Sequence, residues 1–401
     1  MANPIILLVL LLLVSGCKTV AESPTADSDF EKRVTELKQT YAPDRRTDRV
    51  EVVVTPTGSG TALTGYTTVP AADAELRSLA ASHQLDYQVR LLPVAPGASY
   101  GLIRTSVANI RTEAGHSQEL TSQALMGTPI ALLDQDDGWY LIRTPDRYIA
   151  WLEEGAFVNV NEEGMREWFS DELFTCVPAQ TVVRAAPVET SGVVSEVVAG
   201  CLLQQTGERQ GAYVGVRLPD DRRGWMLERE LLPYAQFATP EGLETDALLA
   251  TAYTQVGKPY LWGGTSVKAM DCSGFTKTAY YLNGYVIPRD ASQQVHAGVG
   301  VALDSTYSEL QRGDLLFFGN YREDGSERVT HVGFYLGRGR FLHAGADNDY
   351  ITENSLLATD ADFAAHRKAS LLRVRRLNAG EEGVVPVQRA FEAVYTRSSL
   401  R

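Results

Sequence analysis

Residues 268–284 read KAMDCSGFTKTAYYLNG, and the fold of the C-terminal third turns on this stretch. It sets one of only four cysteines, Cys272, between Asp271 and the pair Ser273-Gly274, where an apolar-periodic helix begins. A thiol at a helix start meets unpaired backbone N–H groups and the positive end of the helix dipole, which favours thiolate over thiol. Phe275, Ala279 and Leu282 form the stripe expected to anchor the helix on a sheet, and the small Ser273 and Gly274 are expected to let a substrate carbonyl approach the sulfur.

A nucleophilic cysteine needs a base and a group that orients the base. The chain holds six histidines, and two of them, His331 in THVGFYLGRG and His343 in RFLHAGA, lie in consecutive strand-like segments around Gly337-Arg338-Gly339. A three-residue loop with Gly339 left-handed predicts His331 opposite Gly345 and His343 on the same face. A two-residue loop would put them on opposite faces. The odd loop therefore makes His331 the base and His343 its orienter.

At 401 residues, 44% apolar and 22% charged, the chain is long enough for several domains with real cores. A net charge of -13 leaves no basic stripe for phosphates, so nucleic acid is excluded as a partner. No CxxC or His/Cys cluster suggests zinc or another metal, and nothing calls for a cofactor.

The N-terminus, MANPIILLVLLLLVSGCKTV, carries an apolar run of signal length, too short to span a bilayer comfortably. Its ending, Val14-Ser15-Gly16-Cys17, resembles a bacterial lipoprotein signal cut before Cys17, which would carry the lipid. The absence of Lys or Arg before the run and the valine at position 14 depart from that pattern, and an ordinary cleaved signal is the alternative. Either places the protein outside the cytoplasm, in the cell envelope or periplasm, and the first anchors it to a membrane. Residues 1–16 are thus read as signal and 17–29 as a polar tether. Residues 30–100 follow as a small α+β region, with helices in FEKRVTELKQTYAP and AADAELRSLAASHQ, strands in RVEVVVTP and LDYQVRLLP, and no chemistry.

The middle of the chain is an internal repeat. Arg111 to Gly127 and Arg184 to Gly200 share a spacing of 16, and Arg143 to Trp151 and Arg217 to Trp225 a spacing of 8. Each copy is a run of short alternating strands broken by Gly, Pro and Asp turns, which predicts two small β-barrels over 101–165 and 170–238. They resemble bacterial SH3-like domains, with an unrelated pair of β modules as the alternative. Cys176 and Cys201 fall in the second copy, where a disulfide and two buried free thiols both stay open.

Residues 243–376 form the last domain, helix, cysteine helix, then strands, and 377–401 a tail without a motif. DCSGF, HVGFYLG, FLHA and the preceding PYLWGG resemble the catalytic blocks of NlpC-type cysteine peptidases, papain-like enzymes of bacterial cell-wall metabolism. The resemblance implies a multidomain protein in which two SH3-like barrels precede an α+β papain-like domain. It also implies that Cys272 attacks a peptide carbonyl, His331 carries the proton, His343 holds the imidazole and Tyr260 assists at the oxyanion.

With its export signal and paired barrels the chain is similar to gamma-D-glutamyl-diamino-acid endopeptidases of the dipeptidyl-peptidase VI type, cysteine peptidases that cut muropeptides bearing a free N-terminal L-alanine. By that likeness Asp290, in PRDASQQ, receives the ammonium, with Trp262, Asp271 and Ser273 lining the pocket; Ala291 stands where many members have serine. Tyr148 and an acid from RTEAGHSQE, Glu113 first and Glu119 second, would come from the first barrel, and Lys268 and Arg289 are either solvated charges or contacts to substrate carboxylates. The expected partner is the peptidoglycan stem peptide. The competing readings are an amidase or acyltransferase on the same fold, which the Asp290 pocket disfavours, and a non-catalytic wall-binding lipoprotein, which the intact Cys272, His331 and His343 disfavour.

Overall fold

A computed structural model describes residues 28–58, 60–93, 100–169 and 172–396. The signal, the lipid attachment at Cys17 and most of the tether lie outside the described residues.

The first unit is a three-stranded sheet of Val50–Thr57, Gly60–Thr67 and Asp86–Leu91, with the helices Ser28–Tyr41 and Pro70–Ser82 on it. The first strand pair is antiparallel and the second parallel. A parallel pair needs a crossover, and the helix Pro70–Ser82 supplies it, burying Leu76 and Ala80 against Leu63 and Val89. The middle strand escapes sequence reading because Gly60 and Gly65 interrupt its alternation.

The two copies of the repeat fold alike. In the first, the strand order is Phe157–Val160, Tyr100–Ile103, Pro129–Asp136, Trp139–Arg143, Ile149–Glu153, Val107–Arg111, Leu120–Leu125. The second has the same order in its own strands, from Leu231–Pro233 through Leu173–Cys176 to Val193–Val198. Both are SH3-like barrels. The repeated residues also take equivalent places, since Arg111 pairs with Trp151 and Arg184 with Trp225 across equivalent strands. Gly127 and Gly200 both take positive φ, 82° and 87°, and both carry a contact between units. A Cβ on Gly127 would sit 2.6 Å from Leu202 Cβ in the second barrel, and one on Gly200 would sit 2.5 Å from Tyr281 on the cysteine helix. Equivalent glycines thus stand at two successive contacts, first barrel to second and second barrel to cysteine helix.

Cys176 and Cys201 are free, buried thiols of one core cluster, and the Cys176 N–H donates to the Cys201 C=O at 2.8 Å.

The C-terminal domain is a six-stranded antiparallel sheet in the order Val299–Val301, Leu371–Arg376, Leu315–Tyr321, Glu327–Gly337, Arg340–Gly345, Tyr350–Ser355. The helix Cys272–Leu282 packs on it through Phe275 and Ala279, with Phe275 edge-on to Phe334. Leu282 differs from expectation: it leans on the core of the second barrel, beside Tyr281. The helix thus lies on the sheet along its length and meets the second barrel with its last turn.

The tail is not idle. Val385–Pro386 pairs with Tyr285–Val286, and the helix Val387–Tyr395 drives Phe391 and Tyr395 into a cluster with Tyr100, Trp168, Leu173 and Phe237. One short helix thereby joins both barrels to the strand Tyr285–Val286 and to Tyr281 of the cysteine helix.

Candidate active site

Asp271 caps the cysteine helix. Its Oδ1 accepts from Gly274 N–H at 2.7 Å and its Oδ2 from Gly263 N–H at 3.0 Å. Arg289, 1% exposed, grips the same carboxylate with both Nη atoms (3.2 and 2.7 Å) and donates to Ser273 Oγ at 3.0 Å. Asp271 and Ser273 are therefore engaged in holding Arg289 and the helix start. Gly274 is glycine for a different reason than expected: a Cβ there would lie 2.0 Å from the Gly264 carbonyl, so the loop before the helix needs the space.

Cys272 is 7% exposed. Burial pushes its thiol up to about 12; the Asp271 carboxylate adds to this, and backbone N–H groups of Val332 and Ser273 only partly oppose it. Burial therefore works against the thiolate that the helix terminus favours, and the net push on the thiol is upward. Tyr260 is half-buried, and burial raises its phenol, with Cys272 and Asp271 adding to the shift; it faces the thiol as a neutral O–H donor.

The histidine hairpin reaches its geometry by an unexpected route. Its turn has two residues, Arg338 (φ 52°) and Gly339 (φ 72°), with Gly337 opposite Arg340. A bulge between Tyr335 and Gly337 inserts the odd residue, so Phe334 pairs with Leu342 and both histidines keep one face. His331 Nε2 lies 2.8 Å from His343 Nδ1. A Cβ at position 333 would stand 2.9 Å from His343 Cβ, which accounts for the glycine in HVGFY.

A third residue, missed in the sequence, completes the chain. Asn354 Oδ1 lies 2.8 Å from His343 Nε2, and Asn354 Nδ2 donates to the Asp362 carbonyl at 3.2 Å. That donation fixes the amide, so Oδ1 accepts and His343 carries its hydrogen on Nε2. His343 Nδ1 then accepts from His331 Nε2–H, which leaves the Nδ1 lone pair of His331 for the thiol proton. Burial first, then His343 and Arg367, hold His331 well below the ordinary histidine range; burial takes His343 down to about 4 against the opposing bond from Asn354. The base thus has its tautomer already set, and the backbone N–H of Val332, the residue after it, bonds the Cys272 thiol.

The chemistry of this cysteine site agrees with its likenesses. The NlpC/P60 family model matches residues 257–361, and the model described as bacterial dipeptidyl-peptidase Sh3 domain matches 110–157. A Gamma-D-glutamyl-L-lysine dipeptidyl-peptidase of Bacillus cereus is 30% identical over 237 residues, 57% of this chain and 68% of that protein. The chain belongs to the NlpC/P60 family. Like its relatives, this NlpC/P60 protein is a cysteine peptidase. Dipeptidyl-peptidase 6 of Lysinibacillus sphaericus is 26% identical over 260 residues, 64% of this chain and 91% of that one. In fold, a crystal structure of a Bacillus cereus NlpC/P60 family protein superposes with a TM-score of 0.58 at 24% identity, covering 69% of this chain and 99% of the other.

Around the NlpC/P60 thiol, the first barrel docks against the loop that precedes the cysteine helix. Gln123 and Thr265 exchange three hydrogen bonds of 2.9–3.1 Å. Trp262, 62% exposed, donates from Nε1 to Glu119 Oε1 at 2.6 Å, whereas Glu113 is exposed on the same loop. Glu119, the second choice from sequence, is the acid that meets Trp262. Tyr148 is buried with its hydroxyl 2.7 Å from Thr121 Oγ1, and burial first, then the nearby Asp290, raise its phenol. Asp290 sits at the start of a short helix, Ala291–Gln294, with Arg289 Nη1 3.7 Å from its Oδ1. Lys268 pairs with Glu196 of the second barrel, away from this cluster.

Proposed function

We propose that the protein hydrolyses the bond between γ-D-glutamate and the diamino acid of peptidoglycan stem peptides, and that it takes peptides whose N-terminal L-alanine is free. The observation that carries this reading is the recessed Asp290 carboxylate, separated from the Cys272 turn by the buried Arg289, which bonds Asp271 and Ser273 on either side of the cysteine. An ammonium there can pair with the Asp290 oxygen that lies 3.7 Å from Arg289, while an acylated terminus brings no positive charge to that oxygen and loses the pairing. The names of the Bacillus and Lysinibacillus relatives support the same bond.

In this reading His331 Nδ1 takes the thiol proton as sulfur bonds to the γ-carbonyl carbon. Tyr260 O–H and a backbone N–H at the helix start stabilise the oxyanion. Collapse expels the amine of the diamino acid, which receives the proton from His331, and leaves a thioester on Cys272. A water, deprotonated by the same imidazole, then cleaves the thioester and restores the thiol. Trp262 and Tyr148 wall the L-alanine side of the cleft. Export and a lipid on Cys17 would place this activity at the cell envelope, a reading supported by residues 4–17 of the sequence.

The test is hydrolysis of L-Ala-γ-D-Glu-diaminopimelate beside its N-acetylated twin, with Cys272→Ala as control and products read by mass. Release of L-Ala-γ-D-Glu from the free-amine peptide alone is expected. Cleavage of both peptides at equal rates would remove the amine requirement, and cleavage of neither would remove the substrate.

A further inference from the structure

The N-terminal α+β region, which the sequence leaves without chemistry, reaches the amine pocket. Arg46 Nη1 donates to Asp290 Oδ2 at 2.8 Å and to Ser292 Oγ at 2.9 Å. Its Nε and Nη2 donate to Asp44 Oδ1 and Oδ2, each at 2.8 Å. Asp44 Oδ2 also accepts from Gln293 Nε2 at 2.8 Å, and Gln293 Oε1 accepts from the Asp290 N–H at 3.1 Å. The segment is pinned from its other side by the first barrel, where Ile149 N–H donates to the Arg46 carbonyl at 2.6 Å and Arg49 Nη2 donates to the Ile149 carbonyl at 2.9 Å. Ile149 is the neighbour of Tyr148, so three units of the chain converge on one carboxylate.

We propose that Arg46 is a positioning residue of the amine subsite, a guanidinium from the N-terminal region that aims Asp290 at the substrate ammonium and makes residues 44–49 part of the specificity site. The inference rests on the amine reading given above.

Charge and geometry argue for positioning over plugging. Asp44, Asp271 and Asp290 against Arg46 and Arg289 make three negative charges and two positive, a net of one negative charge, which suits one ammonium. Arg46 is itself balanced by Asp44 through two charge-assisted bonds, so it fixes Asp290 without neutralising the pocket. It takes one carboxylate oxygen and leaves the other, 3.7 Å from Arg289 Nη1, for the ligand. All of its guanidinium bonds go to groups held by backbone or helix, which makes it a strut. Burial pushes the Asp290 carboxyl above the ordinary carboxylate range, Arg289 and Arg46 pull it down, and Asp271 pushes with the burial, while Tyr148 faces it from the barrel. Removing Arg46 leaves Arg289 alone to keep Asp290 ionised against Asp271.

The test compares wild type, Arg46→Gln and Arg46→Lys as full chains on the free-amine tripeptide and its acetylated twin, with kcat and KM measured from pH 4 to 8. Weakening a bond that the ammonium makes equally in the ground state and the transition state raises KM and spares kcat. Arg46→Gln is expected to raise KM for the free-amine peptide about 10- to 100-fold, in line with the cost of a misaimed group, with kcat within about twofold. Arg46→Lys should recover part of the loss, and the acid limb of kcat/KM should move to higher pH in Arg46→Gln as Asp290 holds its proton longer. Asp44→Asn, which keeps shape and brings the cluster to zero charge, should raise KM as well and serves if Arg46→Gln melts early. A fall in KM would make Arg46 a competitor of the substrate and overturn the inference, as would an unchanged KM and acid limb. A wild type that does not distinguish the two peptides would take down the amine reading and this inference together; a wild type that does, with Arg46→Gln unchanged, takes down the inference alone.

Discussion

His331 and His343 meet edge to face, rings at 90° and Nε2 to Nδ1 at 2.8 Å, with Asn354 closing the far end of the chain at 2.8 Å from His343 Nε2. The tautomer of the base is thereby set by an amide at the far end of a hydrogen-bonded chain. Asn354→Ala should lower kcat about 10- to 100-fold, less than the loss of a general base outright, with KM and the melting temperature close to wild type. Steady-state kinetics beside a thermal melt would check it. Full kcat in the variant would mean that the His331–His343 contact alone sets the tautomer.

The buried thiol makes its own prediction. With Cys272 pushed up to about 12 and His331 held low, the neutral pair should persist through the physiological range. Thiolate is the species that alkylates, so the rate of Cys272 modification by iodoacetamide should climb about tenfold per pH unit from 6 to 9 without levelling. The Cys272→Ala protein supplies the background from the remaining cysteines, of which Cys176 and Cys201 are both buried and both raised by desolvation. A plateau below pH 7 would reveal a thiolate–imidazolium pair and refute the neutral resting state.

The C-terminal helix should matter to the whole molecule. Phe391 is 2% exposed and sits where both barrels and the catalytic domain meet, with Tyr281 of the cysteine helix stacked near it. Phe391→Ala should cost about 3–5 kcal/mol, the usual range for a buried aromatic, and lower the melting temperature of the barrels and the catalytic domain together. Separate transitions by calorimetry, with only one moved, would show that the helix serves a single unit.

What the sequence made legible was local. DCSGF announced a helix start, HVGFYLG and FLHA announced paired strands, and the repeated Arg, Gly and Trp spacings marked two barrels because each spacing spans a turn and a strand pair within one unit. The hairpin was right in its result and wrong in its parts, since a bulge beside a two-residue turn shifts register as a third loop residue would. Arg46 was invisible because it lies 244 residues from Asp290, and no periodicity records a contact made between separate units. Asn354 was hidden for a related reason: it sits on the strand after the hairpin, where an asparagine reads as an ordinary polar face. The upward push on the thiol could not be read from a helix start, because burial, its first cause, belongs to the assembled fold.

The most direct measurement is the ratio of kcat/KM for the free-amine tripeptide to that for its N-acetylated twin, in wild type and in Asp290→Asn. If Asp290 receives the ammonium, the wild-type ratio should be on the order of 100 or more and should collapse toward one in the variant, through a higher KM for the free-amine peptide, with turnover of the acetylated twin at its low wild-type level. A variant that keeps the wild-type ratio would show that the amine is read elsewhere, and the assignment of Asp290 would be wrong.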